Sequence, residues 1–202
     1  MIDAALLPPL RAVLTAPARA LVARGIVADQ VTLAGFGIGL LALPALWMGW
    51  YEFALALILV NRLADGLDGI MARQVGATDR GAFLDIALDF FFYATVPLGF
   101  ALAAPENALA AAVLICAFVG TGSSFLAFAV IAAKRGMRAE AFPAKGIFYL
   151  GGLTEGFETI VVFTLMCLFP AWFLPLALGF AAACGVTVVL RWLQGWRAFS
   201  DL

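Results

Sequence analysis

The stretch ALALILVNRLADGLDGIMAR, residues 54–73, decides what kind of chain this is. Residues 54–60 are an unbroken apolar run, and the apolar character continues past Arg62, Asp65 and Asp68 to Ala72. A surface helix of a soluble domain separates an apolar stripe from a polar face, whereas a helix that is apolar nearly all round is buried in lipid or in a core. The rest of the chain resolves that choice. Of 202 residues, 65% are hydrophobic and only 12% are charged, against about 25% charged in a soluble globule. The chain is therefore expected to be an all-α integral membrane protein, without internal repeats and forming a single domain over residues 1–202.

A helix that crosses the hydrocarbon core needs about 20 mainly apolar residues. Turn and charge signals divide the sequence into six such pieces: about Val31–Trp50, Phe53–Arg73, Gly81–Ala104, Ala108–Ala133, Ile147–Phe169 and Ala171–Trp192. Ahead of them, within residues 1–25, Leu6, Leu10, Val13, Leu14, Leu21 and Val22 alternate with Arg11, Arg19 and Arg24, which predicts an amphipathic helix lying in the membrane interface.

Eleven of the twelve basic residues cluster before the first span, between the second and third (Arg73 and Arg80), between the fourth and fifth, and at the close of the chain (Arg191 and Arg197). The alternate connections, near Glu52, near Glu106 and at Pro170, contain none. The positive-inside rule then puts both termini and the two basic loops in the cytoplasm. Arg62 alone falls inside a span.

Other chemistries are excluded early. The chain has no His, which removes Ser-His-Asp and Cys-His nucleophiles and His-ligated zinc. Its three cysteines, Cys116, Cys167 and Cys184, stand alone in apolar runs and read as small hydrophobes. A net charge of -1 argues against nucleic acid as a partner. Gly35, Gly37 and Gly39 in the first span, with Gly120 and Gly122 in the fourth, are spaced as small-residue helix contacts.

Four aspartates remain that membrane insertion does not favour: Asp65 and Asp68 in the second span, Asp85 and Asp89 in the third. Each charge at a helix centre costs roughly 2.5–3.5 kcal/mol on insertion scales. At the helical repeat, Asp65 and Asp68 lie within about 60° of each other and Asp85 and Asp89 within about 40°. Each pair makes a stripe, and two antiparallel spans joined by a short loop can face their stripes across a cleft. Like charges crowded in a low dielectric take up protons or hold cations. With oxygen donors alone, Mg2+, Mn2+ or Ca2+ suit the site better than copper or structural zinc, and two metals are its natural capacity. The alternative is a helix-pairing network neutralised by Arg62, Arg73 and Arg80. Gly66, Gly69 and Ala72 clear one face for a phosphate ligand, and Arg73 supplies a cation for phosphate oxygens.

As one string, Asp65-x2-Asp68-Gly69-x2-Ala72-Arg73-x7-Gly81-x3-Asp85-x3-Asp89 closely resembles the signature of the CDP-alcohol phosphatidyltransferases. That family usually has eight residues between the Arg and the second Gly; here there are seven, the shorter count falling in the loop. The resemblance implies an enzyme of phospholipid biosynthesis that uses Mg2+ or Mn2+ to transfer the phosphatidyl group of CDP-diacylglycerol to an alcohol, releasing CMP. It implies that Asp65, Asp68, Asp85 and Asp89 hold two metals and that Asp89 also accepts the proton of the attacking hydroxyl. Gly69, Ala72, Arg73, Thr78 and Gly81 would line the CDP-lipid site. Thr32 matches a family threonine of the nucleotide pocket, and Asp29 stands where an Asn is common. A homodimer in a bacterial inner membrane, its active site facing the cytoplasm, is expected from the same likeness and the compact build.

The acceptor is not legible. Lys145 and Arg135, in the basic loop with Lys134 and Arg138, are candidates for a phosphorylated acceptor, against the plainer reading of topology and attraction to anionic lipid. Asn61 and Arg62, one turn before the motif, read equally as partners of the aspartates and as helix-to-helix hydrogen bonds. Glu155 and Glu158, one turn apart in the fifth span, carry no assigned role. Two other functions compete: donation of a phospho-alcohol from a CDP-alcohol to diacylglycerol, and transport of a divalent cation on the four aspartates. Transport would leave the glycine, alanine and arginine positions without a purpose.

Overall fold

A computed structural model describes residues 2–137 and 152–200, with side chains from Ala12 onward. Among the described residues the fold is wholly helical, with no strand. Its α-helices are α1 (Ile2–Ala23), α2 (Ala28–Leu40), α3 (Ala42–Trp47), α4 (Tyr51–Val75), α5 (Asp79–Ala103), α6 (Ala108–Lys134), α7 (Gly156–Leu168) and α8 (Phe173–Ala198).

The expected first span is two helices. Pro44 has no N–H to give the carbonyl of Leu40, and its ring crowds that carbonyl. The α2 hydrogen-bond ladder therefore ends at Leu40, and α3 starts after Leu41. α4, at 25 residues, is about 37 Å long and ends at Gly76, whose φ of 104° is open to a residue without a Cβ. The turn that follows is short because Thr78 starts α5 at once, its hydroxyl accepting from the Gly81 amide at 3.0 Å.

By length and composition, four segments can cross a membrane: Ala28–Trp47, Asp79–Ala103, Pro105–Lys134 and Pro170–Ala198. α4 has the length, but Arg62, Asp65, Asp68 and Arg73 interrupt its apolar run. α7 has 13 residues and starts at Gly156, capped by Glu155, so residues 152–155 of the expected fifth span are not helical, and its start, residues 147–151, lies outside the described residues. The protein is an integral membrane protein by this helix content and by its inverted surface. Leu59, Val60, Phe91, Val119, Val130, Val186 and Leu190 all face outward, where a soluble fold would place charge.

The core is aromatic and close-packed. Phe92, Phe100, Phe163 and Phe173 are fully buried with Leu46, Ile58, Leu114 and Met166, and the Phe100 and Phe173 rings stack at 4.6 Å. A smaller cluster joins Ala18, with Leu14, Leu21 and Val22 beside it, to Ile70 and Met71 of α4. The apolar stripe of α1 thus lies against the half of α4 that carries the aspartates.

Glycines set how closely α2 meets α4. A Cβ on Gly35 would stand 2.5 Å from Cβ of Ala64, and one on Gly39 would stand 2.9 Å from the Asn61 amide. Gly37, between them, faces away with nothing within 4 Å. In α6 a Cβ on Gly122 would meet the Phe90 ring at 2.9 Å and one on Gly120 would meet Val188 at 3.1 Å. Of the glycines expected at helix contacts, Gly37 alone makes none.

Candidate functional site

The close approach of α2 to α4 has a chemical result. Thr32, one turn before Gly35, reaches across to Asp68, its hydroxyl donating to Oδ2 at 2.5 Å. The Ala28 carbonyl, 3.1 Å from the same hydroxyl, is the alternative acceptor. Asp68 is buried, and Asp65 and Asp85 are half-buried beside it. Asp65, Asp68 and Asp85 each offer a carboxylate oxygen within 4.8 Å of the others, which brings three of the four expected aspartates together from α4 and α5.

Asp89, one turn further along α5, is held differently. Nη2 of Arg62 donates to its Oδ1 at 2.7 Å, while Nη1 of the same guanidinium stands 3.8 Å from Oδ2 of Asp65. Arg62 is itself tightly placed. Its Nε donates to Asn61 Oδ1 at 2.8 Å and its Nη1 donates to the Tyr93 hydroxyl at 3.1 Å. The Phe92 and Tyr93 rings lie 4.8 and 5.2 Å from the guanidinium carbon. Asn61 in turn donates to the Gly35 carbonyl at 3.0 Å. Both readings of Asn61 and Arg62 therefore hold: Arg62 pairs with the aspartates and Asn61 ties α4 to α2. Thr32, Gly35, Asn61, Arg62 and the four aspartates line one cleft together with Phe36 and Leu88.

The donor set fits a hard divalent cation. Oxygen ligands of an ion bound at about 2.0–2.1 Å are no more than about 4.2 Å apart. The triad, spread over at most 4.8 Å, reaches that with a side-chain adjustment of about half an ångström, within rotamer freedom. No sulfur or imidazole donor competes.

The other expected binding residues lie at the end of α4 and the start of α5, next along the chain to the aspartates. Arg73 is exposed and its guanidinium lies over Gly69, 3.5 Å from where a Cβ would be. Ala72 is half-buried on the same turn. Thr78 caps α5, and a Cβ on Gly81 would meet Asp29 Oδ1 at 3.1 Å and the Thr78 hydroxyl at 3.2 Å. Asp29 accepts from Nε of Arg80 at 2.6 Å, which ties the start of α2 to the start of α5.

The remaining candidates fare unequally. Lys145 and Arg138 lie outside the described residues. Arg135 ends α6 with its guanidinium donating to the carbonyls of Ala198 at 3.4 Å and Phe199 at 3.1 Å, and stacked over the Phe199 ring. It fastens the end of α8 and is not among the residues that line the aspartate cleft. Glu155 and Glu158 cap α7: Glu155 accepts from the Gly152 amide and Glu158 from the Glu155 amide, both at 3.1 Å. Arg191, grouped above with the terminal basic residues, is half-buried and donates to the Thr121 carbonyl at 2.9 Å. Its place in the last long apolar run was the signal that set it apart from a surface charge.

The family model for CDP-alcohol phosphatidyltransferase matches residues 25–196. The inner membrane protein YnjF of Escherichia coli (strain K12) is 54% identical over 203 residues, covering 100% of this chain and 98% of that one. The phosphatidylinositol phosphate synthase of Streptomyces avermitilis is 37% identical over 120 residues, or 56% of this chain and 49% of its own. The crystal structure of Mycobacterium tuberculosis phosphatidylinositol phosphate synthase (PgsA1) with manganese and citrate is similar at a TM-score of 0.72 and 25% identity, covering 91% of this chain and 88% of that one. The same enzyme with CDP-DAG bound is similar at a TM-score of 0.68 and 25% identity, over 91% and 93% of the two chains.

Proposed function

The chain belongs to the CDP-alcohol phosphatidyltransferase family, and from that premise we propose that it transfers the phosphatidyl group of CDP-diacylglycerol to a small alcohol and releases CMP. It is a phosphotransferase, and the observation that carries the specific reading is the convergence of Asp65, Asp68 and Asp85 in one cleft, each on a position of the family signature. The relative solved with CDP-DAG bound supports this choice of donor.

In this reading Asp65, Asp68 and Asp85, with Asp89 completing the set, hold Mg2+ or Mn2+, up to two ions. The metal supplies charge neutralisation for the diphosphate and its leaving group. The protein positions the reactants. Gly69 and Ala72 let the diphosphate approach α4, Arg73 pairs with its oxygens, and Thr78, Gly81 and Thr32 shape the nucleotide end. The acceptor oxygen attacks the phosphorus that bears diacylglycerol. A new P–O ester bond forms, the diphosphate P–O bond breaks, and its electron pair leaves with CMP. The proton of the hydroxyl passes to the Asp89 carboxylate, a sufficient base in a chain without His. Lys145 and Arg135 are the acceptor-side residues in this reading, and the position of Arg135 over the end of α8 favours Lys145 of the two.

The same reading places six spans in a bacterial inner membrane, α1 in the interface, both termini and the cleft on the cytoplasmic side, and the chain in a homodimer. Its test is CMP release by purified protein with Mn2+ or Mg2+, given CDP-diacylglycerol and a panel of alcohols in one arm, and CDP-alcohols with diacylglycerol in the other. Acceptor-dependent CMP in the first arm alone is expected. CMP in the second arm alone reverses donor and acceptor, and metal uptake into proteoliposomes without CMP in either arm replaces the transferase with a transporter.

A further inference from the structure

Arg62 is a cation built into a site for cations. A guanidinium in a membrane-spanning helix is costly unless paired, and a purely structural one would be spared that cost by any apolar residue. Here the cost is met from five directions, by Asp89, Asp65, Asn61, Tyr93 and the Phe92 ring. Planar, with a fork of donors, Arg can satisfy all of these at once as Lys cannot. The two carboxylates that it contacts are the ones a second metal beside the triad would have to use. Paired metals stand about 3.5–4 Å apart and share ligands, so the second ion would take Asp89 and an oxygen of Asp65. The guanidinium already lies against both.

Formal charge points the same way. Four carboxylates, one guanidinium and one divalent ion leave the cleft singly negative. A second divalent ion would make it singly positive in a low dielectric, with no anion to oppose it. A diphosphate brings two negative charges and removes that objection.

We propose that Arg62 is the resident counter-cation of the metal centre: in the donor-free protein its guanidinium occupies the Asp65–Asp89 side of the cleft, so that the site holds one divalent ion on Asp65, Asp68 and Asp85 and takes a second only with a diphosphate. The inference rests on the metal centre of the proposed function. Arg62 is on this view a positioning residue that acts through Asp89.

The test is Mn2+ stoichiometry of the purified full chain in detergent, by equilibrium dialysis without donor. Wild type is expected to bind one Mn2+ per chain, and two when CDP is added as the diphosphate probe. Arg62→Gln is expected to bind two without CDP, and Arg62→Lys, which keeps the charge, one. Two ions of similar affinity in wild type without CDP, or one ion in a folded Arg62→Gln, would overturn the proposal. Should Arg62→Gln not fold, Asp89→Asn decides: with Asp89 committed to Arg62, affinity for the first ion stays within a factor of about three, and a loss of about tenfold or more, the usual mark of a ligand or its support, overturns it. Stoichiometry and transfer fail separately: a second resting ion leaves CMP release standing, and absent CMP release leaves the ion count to be read.

Discussion

Replacing Gly35 with alanine is expected to damage the metal centre from the outside, through helix spacing alone. The added Cβ would lie 2.5 Å from Cβ of Ala64, where carbon atoms in contact rest at about 3.5–4.0 Å. Neither atom can rotate away, because both are the first atom of a side chain on a helix. Relief therefore requires α2 and α4 to part locally by about 1 Å or more, and overpacking of this kind costs typically about 1–3 kcal/mol. The shift carries Thr32 with it, since Thr32 lies one turn away on the same face of α2. Its bond to Asp68, 2.5 Å long, would then stretch past about 3.5 Å, where it is no longer a hydrogen bond. Losing an outer partner of a metal ligand costs about 10–100-fold in affinity. The assay is Mn2+ affinity alongside thermal unfolding in detergent. Gly37→Ala is the control, since a Cβ there meets nothing within 4 Å, and it should leave both readouts near wild type. The double variant Gly35→Ala with Ala64→Gly returns the space and should recover most of the loss. Wild-type Mn2+ affinity in Gly35→Ala, or a double variant worse than the single one, would refute this account of the α2–α4 contact.

Three more outcomes are expected. Asp89→Asn should keep metal-dependent binding of CDP-diacylglycerol while transfer falls by about 10²–10⁴-fold, the usual worth of a general base; turnover near wild type removes Asp89 from the proton transfer. Thr32→Val, of similar size, should weaken Mn2+ binding about tenfold and Thr32→Ser should restore it, read by titration with the metal; equal affinities in all three proteins would mean that the hydroxyl does not support Asp68. Gly81→Ala should strain the contact among Asp29, Thr78 and the start of α5, raising the KM for the CDP-lipid more than it lowers kcat; an unchanged KM would place the lipid elsewhere.

What was legible in the sequence divides by range. The lipid-facing character, the helical class and the placing of Asp65, Asp68 and Asp85 on shared faces follow from local period and composition, and these agree with the structure. The break at Leu41 was also local, since Pro44 stands inside the apolar run, but a span counted by hydropathy reads straight through it. Gly35, Gly37 and Gly39 look alike in the sequence, and only the rotation of α2 against α4 shows that the first and third are contacts. The Arg62–Asp89 and Asp29–Arg80 pairs join residues 27 and 51 apart, and no pattern within one helix announces them. Glu155 and Glu158 carry no role in the sequence because of their spacing: three apart in an apolar segment, they fit a buried stripe and a helix cap equally, and the choice depends on where α7 begins.

The most direct test locates the metal. In crystals grown with Mn2+, anomalous scattering should show a peak among the carboxylates of Asp65, Asp68 and Asp85, lost in Asp68→Asn. An ordered cleft with no anomalous peak there, or a peak bound by other residues, would contradict a metal-dependent transferase at this site.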